Sequence, residues 1–567
     1  RLRFPVARNT SREDRVSPCR HPQPASADYR RPCLATEWPL KQSVTNWWRS
    51  EIRKKRNDDR LIILGLFQSR RTTVSVGHKE VLKMKRRLIL TSLTALAIAA
   101  CGDSDSITAQ PPSSVDVSDI AVAGRITAFG SVVANGVQFG TDSATVMMNG
   151  EPGTLSDLRV GMIVAIEGTI NNVTGEAEAT QISFVDDVEG PITSMNKAQS
   201  TFIVLGRTVV VDELTVFEGA AFDDLTSGNV VQVSGQRRNE ERVQATYIRR
   251  TANSYQVGMR MEVKGVVSEL DIGNSRFRIG SQVCDFSAAA LDLGAADLAN
   301  GLYIEASCDS PMSDGVMLLD QIQARDQNRD RDQLCDYDCT FEIEGFITSF
   351  TSTTEFEVDE QPVTTDENTI YVNGTADTLA TDVKVAVDGT LDTNDLLLAD
   401  RIVFRLPSAI EIEADVEAIA IESGEVTLLG IVAQTDESTL FQDQSNYNIR
   451  DFGLDDLAAS ERIGIRAYVD NDSLIASRLV RYDPGTEVIL KAPVESIARP
   501  SITLLGVIAT SNDNTIFQNA DKQVITPDAF FEAVETGSLV RATGTYDGTS
   551  IIASKMFLRE CQNTSCL

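Results

Sequence analysis

The chain has 567 residues, with 82 Asp+Glu against 52 Lys+Arg and a formal charge of −30. Beyond residue 100 the imbalance sharpens to 74 acidic against 30 basic residues, and neither His nor Trp occurs there. Such a polyanion repels phosphate backbones, so no nucleic-acid partner is expected. The absence of His removes Ser-His-Asp and Cys-His catalysis and the commonest transition-metal ligand. Carboxylate pairs or Ser-Lys chemistry remain in principle. No G-x-S-x-G, H-E-x-x-H, Walker or dinucleotide-type glycine motif occurs in that part, so no catalytic residue is expected.

Residues 1–83 carry 19 Lys+Arg against 8 Asp+Glu and hold all three Trp and both His. They read as upstream sequence ahead of the true start. A basic arm for nucleic acid, with Trp47 and Trp48 as stacking groups, is the competing reading, but no recognisable fold surrounds that cluster. Met84 opens a new pattern. Lys85-Arg86-Arg87 precede the apolar run Leu88 to Ala100, which is too short to span a bilayer, and the run stops at Ile98-Ala99-Ala100-Cys101. Residues 84–100 resemble a bacterial lipoprotein signal peptide with its lipobox. The resemblance implies a diacylglyceryl group on the Cys101 thiol and cleavage before it. A buried helix with a chance cysteine explains fewer of these features. Residues 101–119, rich in Ser, Asp and Pro, read as a flexible tether. Gly102 stands where an Asp would favour retention in the inner membrane, so the resemblance points to the outer membrane of a bacterial envelope.

From residue 120 one unit recurs. Its closing signature appears as Ala179-Thr-Gln-Ile182, Ala245-Thr-Tyr-Ile248, Leu319-Asp-Gln-Ile322, Ala399-Asp-Arg-Ile402, Ala476-Ser-Arg-Leu479 and Ala553-Ser-Lys-Met556. Successive spacings are 66, 74, 80, 77 and 77 residues. Six repeats follow, at 120–185, 186–252, 259–325, 340–406, 409–483 and 486–559. Each opens on an alternating segment meeting a small residue, Gly124, Gly190, Gly265, Gly345, Ala414 or Ala492. Five copies carry a mid-unit Asp-x-x-Thr, or Asn-x-x-Thr, at 142–145, 212–215, 366–369, 436–439 and 512–515. Five equivalent active sites being implausible, these read as turn-forming Asx residues leading into strands.

Short alternating runs bounded by Gly and Asn/Asp predict half-buried strands. Five strands with a short helix between the third and fourth predict an all-β protein of six tandem small OB-like β-barrels, with a small β-sandwich per unit as the runner-up. The expected arrangement is a string of such barrels.

Six cysteines follow Cys101. In an oxidising compartment, sequence-local pairing predicts Cys284–Cys308, Cys335–Cys339 and Cys561–Cys566 as disulfides, the last in a short tail over 560–567. In the linker 326–339, Asp326, Asn328, Asp330 and Asp332 sit at alternate positions and offer the hard oxygens calcium needs. An EF-hand-like loop demands Gly at its sixth position and an acid at its twelfth, where Arg331 and Tyr337 stand. A solvated acidic linker is therefore the favoured reading, with calcium the alternative and no other cofactor expected.

The Gly after the first strand, a Gly-x-x-V-x-V-x-G fourth strand and the Ala-x-x-Ile final strand, in series behind a lipobox, resemble the bacterial family "domain of unknown function 5666". The resemblance implies an exported protein and brings no catalytic residues. The expected function is a non-enzymatic envelope lipoprotein, a binding or structural array held to the membrane by its lipid. A glycan or protein of the envelope is its expected ligand. An extracytoplasmic hydrolase using paired carboxylates and a passive spacer are the alternatives.

Overall fold

The computed structural model describes residues 117–239, 241–294, 297–325 and 339–559. The expected all-β class holds, and each repeat is a closed five-stranded barrel. In repeat 1 the first strand, Val117–Ala128, turns through Val132–Ala134 into a split third strand, Val137–Gly140 and Thr145–Met148. A 3-10 turn at Leu155–Asp157 leads to the fourth and fifth strands, Ile163–Asn171 and Ala177–Phe184. The third strand runs parallel to the fifth, the fifth antiparallel to the fourth, and the fourth antiparallel to the first. That order, 1-2-3-5-4-1, is the closed OB-like arrangement rather than a sandwich. Repeat 6 places an α-helix, Pro527–Ala533, at the third-to-fourth crossing. Thr526 caps it by accepting from the Ala529 N–H at 3.2 Å, Pro527 pre-sets the first turn, and Phe530 and Phe531 close the barrel end.

The two sequence signatures are one device. The fifth strand bulges just after its signature Ala, opposite the terminal small residue of the fourth strand: Gly168, Gly235, Gly389, Ala467 or Gly544. At Gly389 a Cβ would overlap the carbonyl of Leu398, and at Gly544 that of Ile552, so these two bulges leave no room for a side chain, whereas repeat 5 accommodates Ala467 opposite its bulge. The third strand meets the bulge and splits. In repeat 5 the Asp436 carboxylate accepts from the Ser438 N–H at 2.9 Å, forming the expected Asx turn. The Thr439 hydroxyl then donates to the Ala476 carbonyl. Repeats 2, 4 and 6 repeat this bond with Thr215, Thr369 and Thr515, at 2.8, 2.8 and 2.7 Å. In repeat 1 Thr145 reaches instead to the Thr180 carbonyl, at 3.2 Å.

The repeats do not form a string. Within each barrel the second strand pairs only with the C-terminal half of the first, which leaves the N-terminal half with one unsatisfied edge. An edge of this kind is a template for another strand. Here the first strand of a second repeat fills it. Repeats 1 and 4 join in parallel through Ile120–Ala123 and Thr340–Ile343. Repeats 2 and 3 join antiparallel through Val188, Glu189, Glu262 and Val263, and repeats 5 and 6 through Glu411–Glu413 and Ile489–Lys491. Among the described residues three sheets of 13, 13 and 12 strands result, and these residues form one compact unit.

The pairs also share cores and ion pairs. Val216 and Tyr247 of repeat 2 and Leu440 of repeat 5 complete the core of repeat 1. Glu213, inside the Asp-x-x-Thr turn of repeat 2, accepts from Lys491 of repeat 6 at 2.6 Å and lies 3.4 Å from Arg466 of repeat 5.

Candidate functional site

Of the residues singled out from sequence, Cys101, Cys335, Cys561, Cys566 and the linker oxygens of Asp326, Asn328, Asp330 and Asp332 lie outside the described residues. Cys339 is buried where the first strand of repeat 4 begins. The expected Cys284–Cys308 staple is not formed, and both are free thiols in one core. Their strands are not neighbours: Gln282–Asp285 lies between Arg276–Ile279 and Val316–Leu318, whereas Tyr303–Cys308 lies between Met261–Asp271 and Gln321–Ala324. Burial pushes the Cys284 thiol well above its usual range and that of Cys308 to about 11. Both side chains therefore act as small apolar groups.

The seams hold most of the buried charge. Lys264 sits between repeats 2 and 3, its ammonium donating to Asp186 at 3.0 Å and to Glu262, with Glu305 at 3.9 Å. Arg260 braces Glu262 and Glu305 from the rim at 2.6 and 2.8 Å. Glu189 and Glu262 face each other across the seam, and burial followed by Asp186 raises the Glu189 carboxyl to about 7. Beside this network Asp187, Asp359 and Glu360 surround Arg237 where repeats 1 to 4 meet, around a cavity of about 100 Å³. These groups are matched within the protein and act as internal ties.

Among the larger openings, two draw residues from three repeats. The first is a groove of about 790 Å³ between repeats 1, 2 and 5. Its walls are Phe129 and Arg159 from repeat 1, Phe217 to Ala221 and Tyr247 from repeat 2, and Phe441 to Gln444 with Asn448 to Arg450 from repeat 5. Its two carboxylates are occupied. Glu218 accepts from the Tyr247 hydroxyl and lies 3.4 Å from Arg159. Asp443 accepts from Arg481 and from Ser445, and these bonds outweigh burial to hold its carboxyl at about 2. Arg450 stacks over Phe129 at 3.8 Å and donates to the Leu158 carbonyl at 3.3 Å.

The second opening, about 640 Å³, lies between repeats 1, 4 and 5 and is lined by Glu342, Asp388, Arg401 and Glu437. Glu342 faces Asp388 across the first and fourth strands of repeat 4. Burial, then the nearby Asp388, raises its carboxyl to about 7, while Asp388 is held by Arg401 at 2.8 Å.

Five stretches, 123–183, 189–249, 344–403, 414–479 and 491–556, match the model of the family described as "Domain of unknown function (DUF5666)". The chain belongs to this family. No curated protein matches the sequence. The DUF5666 matches coincide with repeats 1, 2, 4, 5 and 6, from first strand to fifth. Repeat 3 is unmatched, yet it closes the same way through Met261–Asp271, Arg276–Ile279, Gln282–Asp285, Tyr303–Cys308 and the pieces Val316–Leu318 and Gln321–Ala324. It lacks the Asp-x-x-Thr turn, and its fifth strand is broken in two where the other DUF5666 units bulge. Neither opening was legible in the sequence. Each draws residues from three units, and within any one unit Arg450 or Phe217 looks like ordinary surface.

Proposed function

We propose that this DUF5666 chain is a lipid-anchored, non-enzymatic binding protein of the bacterial cell envelope. Cys101 carries the lipid, the outer membrane is its site, and the six barrels act as one binding body. The lipobox pattern supports the anchor, and the strongly acidic composition suits an exported, soluble body that avoids nucleic acid. The observation that carries the binding role is the groove between repeats 1, 2 and 5. It sets half-buried aromatic faces beside amides and guanidinium groups, the mixture that grips an extended polar ligand. Its carboxylates are engaged as acceptors, and Asp443 is ionised throughout the neutral range, so it is not poised to shuttle protons. A spacer reading fits less well, because the repeats are tied side by side rather than end to end.

The full chain, purified in detergent, is mixed with insoluble envelope polysaccharide and sedimented. Co-sedimentation that is lost in Phe441→Ala supports the reading, and its absence with every envelope fraction overturns it. Cys101→Ser is expected to move the protein from the detergent phase to the aqueous phase.

A second reading, a carboxylate hydrolase, has one observation in its favour. Glu342, its carboxyl raised to about 7, faces Asp388 in the opening between repeats 1, 4 and 5. Such a split is what an acid and its partner carboxylate require. Glycan-cleaving activity abolished by Glu342→Gln establishes that reading; no cleavage of any envelope glycan removes it.

A further inference from the structure

We propose that an extended, uncharged segment of a partner polypeptide binds in the groove between repeats 1, 2 and 5, adding a strand to the open edge at Phe441 and Gln442. The proposal rests on the binding role argued above and adds the class of the ligand.

The half of each third strand that follows the Asp-x-x-Thr turn pairs with the fifth strand on one side. In repeat 6 the chain itself covers the other side: Val524–Ile525 pairs antiparallel with Phe517 and Gln518. In repeat 1 Glu151–Gly153 covers residues 146–148 in the same way. Counting from the turn Thr, Phe441 and Gln442 of repeat 5 and Phe217 and Glu218 of repeat 2 hold the equivalent places. They pair with Leu479 and Val480, and with Ile248 and Arg249. Among the described residues no strand lies on their other side. Both open edges line the one groove, and Arg478 ties them by donating to the Thr215 carbonyl at 3.2 Å and to the Gln442 side chain at 2.6 Å. Such an edge is a row of main-chain donors and acceptors that takes a further strand.

The local sequence explains why these edges stay open. In repeat 6 Asn519 starts a tight reversal, accepting from the Gln523 N–H at 2.9 Å, and the chain returns along the edge. In repeat 5 Asp443 stands there, held by Arg481, and draws in the N–H groups of Ser445 and Ile449 at 2.9 and 2.8 Å. That loop becomes a wall of the groove through Asn448, Ile449 and Arg450. In repeat 2 only Gly219 to Ala221 separate Glu218 from the 3-10 turn at Phe222, too few residues to reverse and pair.

The lining sets the class of ligand. Its four charges, Arg159, Glu218, Asp443 and Arg450, are two of each sign, so it demands no charge of a ligand. Phe217 and Phe441 are half-buried and offer ring faces to alternate side chains of an added strand. The β-branched pair Val524 and Ile525, which covers this edge in repeat 6, is the pattern such a segment carries. About 790 Å³ gives room for a short extended stretch.

Hydrogen exchange of the full chain in detergent tests this with the acetylated, amidated peptide Ser-Gln-Val-Ile-Thr-Ser, which carries residues 523–526. An analogue N-methylated at Val and Ile keeps every side chain and loses strand donors. Without peptide, residues 440–443 are expected to exchange faster than their covered counterparts, 516–518. With excess peptide, exchange across 440–443 is expected to slow about fivefold or more, and the methylated analogue is expected to leave it unchanged. Ile370–Val372, the equivalent edge of repeat 4 outside this groove, is expected to keep its rate. No variant is involved, so a folding defect does not mimic the result.

Equal slowing by the methylated analogue overturns strand addition. Equal slowing at Ile370–Val372 overturns the groove as the site. Slow exchange across 440–443 without peptide overturns the partner polypeptide: a dimeric chain then covers its edge with a second copy, a monomeric one with itself. No slowing by the peptide overturns the proposal, and the sedimentation experiment then reports separately on the binding role.

Discussion

The Thr439 hydroxyl donates to the carbonyl of Ala476 at 2.6 Å and accepts from the Asp436 N–H at 2.9 Å. One side chain thereby ties the end of an Asx turn to the carbonyl that the fifth-strand bulge sets free. Thr439→Val keeps the shape, removes both bonds and leaves a buried carbonyl unanswered. A loss of about 1–2 kcal/mol is expected, read as a lower denaturant midpoint at unchanged m-value.

The glycine opposite the bulge is the steric half of the same device. In Gly544→Ala the new methyl group meets the Ile552 carbonyl, which is backbone and held in the sheet. The strands must part or the bulge must be lost, at a cost of at least about 2 kcal/mol. The expected readout is lost amide protection across Leu539–Tyr546 and Ser550–Arg559 in hydrogen exchange, while repeat 4 keeps its protection.

Lys264 is the neutralising centre of the seam between repeats 2 and 3. Lys264→Met fits the same space and leaves Asp186, Glu262 and Glu305 facing one another with only rim arginines near. Breaking a buried set of this kind costs about 3–5 kcal/mol at neutral pH. Because the lost partner is a cation among carboxylates, the defect is expected to shrink as the pH is lowered and the acids protonate. A defect that stays constant with pH contradicts this account.

The whole chain carries an opposite pair of pH effects. Burial, then neighbouring carboxylates, raises Glu189 and Glu342 from 4.5 to about 7. Their folded form holds a proton the unfolded chain has released, so stability is full below about pH 4.5 and falls as the pH climbs through 7. Asp443 is lowered from 3.8 to about 2 by its bonds to Arg481 and Ser445, against burial. Its contribution is present above about pH 4 and is lost as the pH falls through 2. The melting temperature is therefore expected to peak near pH 4, with Glu342→Gln flattening the descent on the alkaline side. A melting temperature that rises steadily from pH 5 to 8 contradicts the assignment.

Much of this molecule was legible in one dimension. Alternation with period two gave strands, Gly and Asn/Asp marked their ends, and the recurring Ala-x-x-Ile counted six units, including the third that departs furthest from the family pattern. These features are local, because each barrel satisfies its own hydrogen bonds in sequence order. Four of the five expected Asx turns, at Asp212, Asp366, Asp436 and Asn512, form for the same reason, since their partners lie two or three residues away.

The pairing of repeat 1 with 4, 2 with 3 and 5 with 6 was not written in any single unit. All six leave the same half-strand edge open. Across the seam of repeats 5 and 6 Glu411 stands opposite Lys491, and Glu213 of repeat 2 reaches Lys491 and Arg466 across long stretches of chain. The Cys284–Cys308 expectation failed on the same ground, because closeness in sequence and a shared core did not make their strands adjacent. The sequence alone determined the barrel, its Asx turn and its count. Tertiary structure alone decided the partners and thereby the grooves, because an unsatisfied edge specifies that something must cover it and leaves the choice to long-range charge and shape.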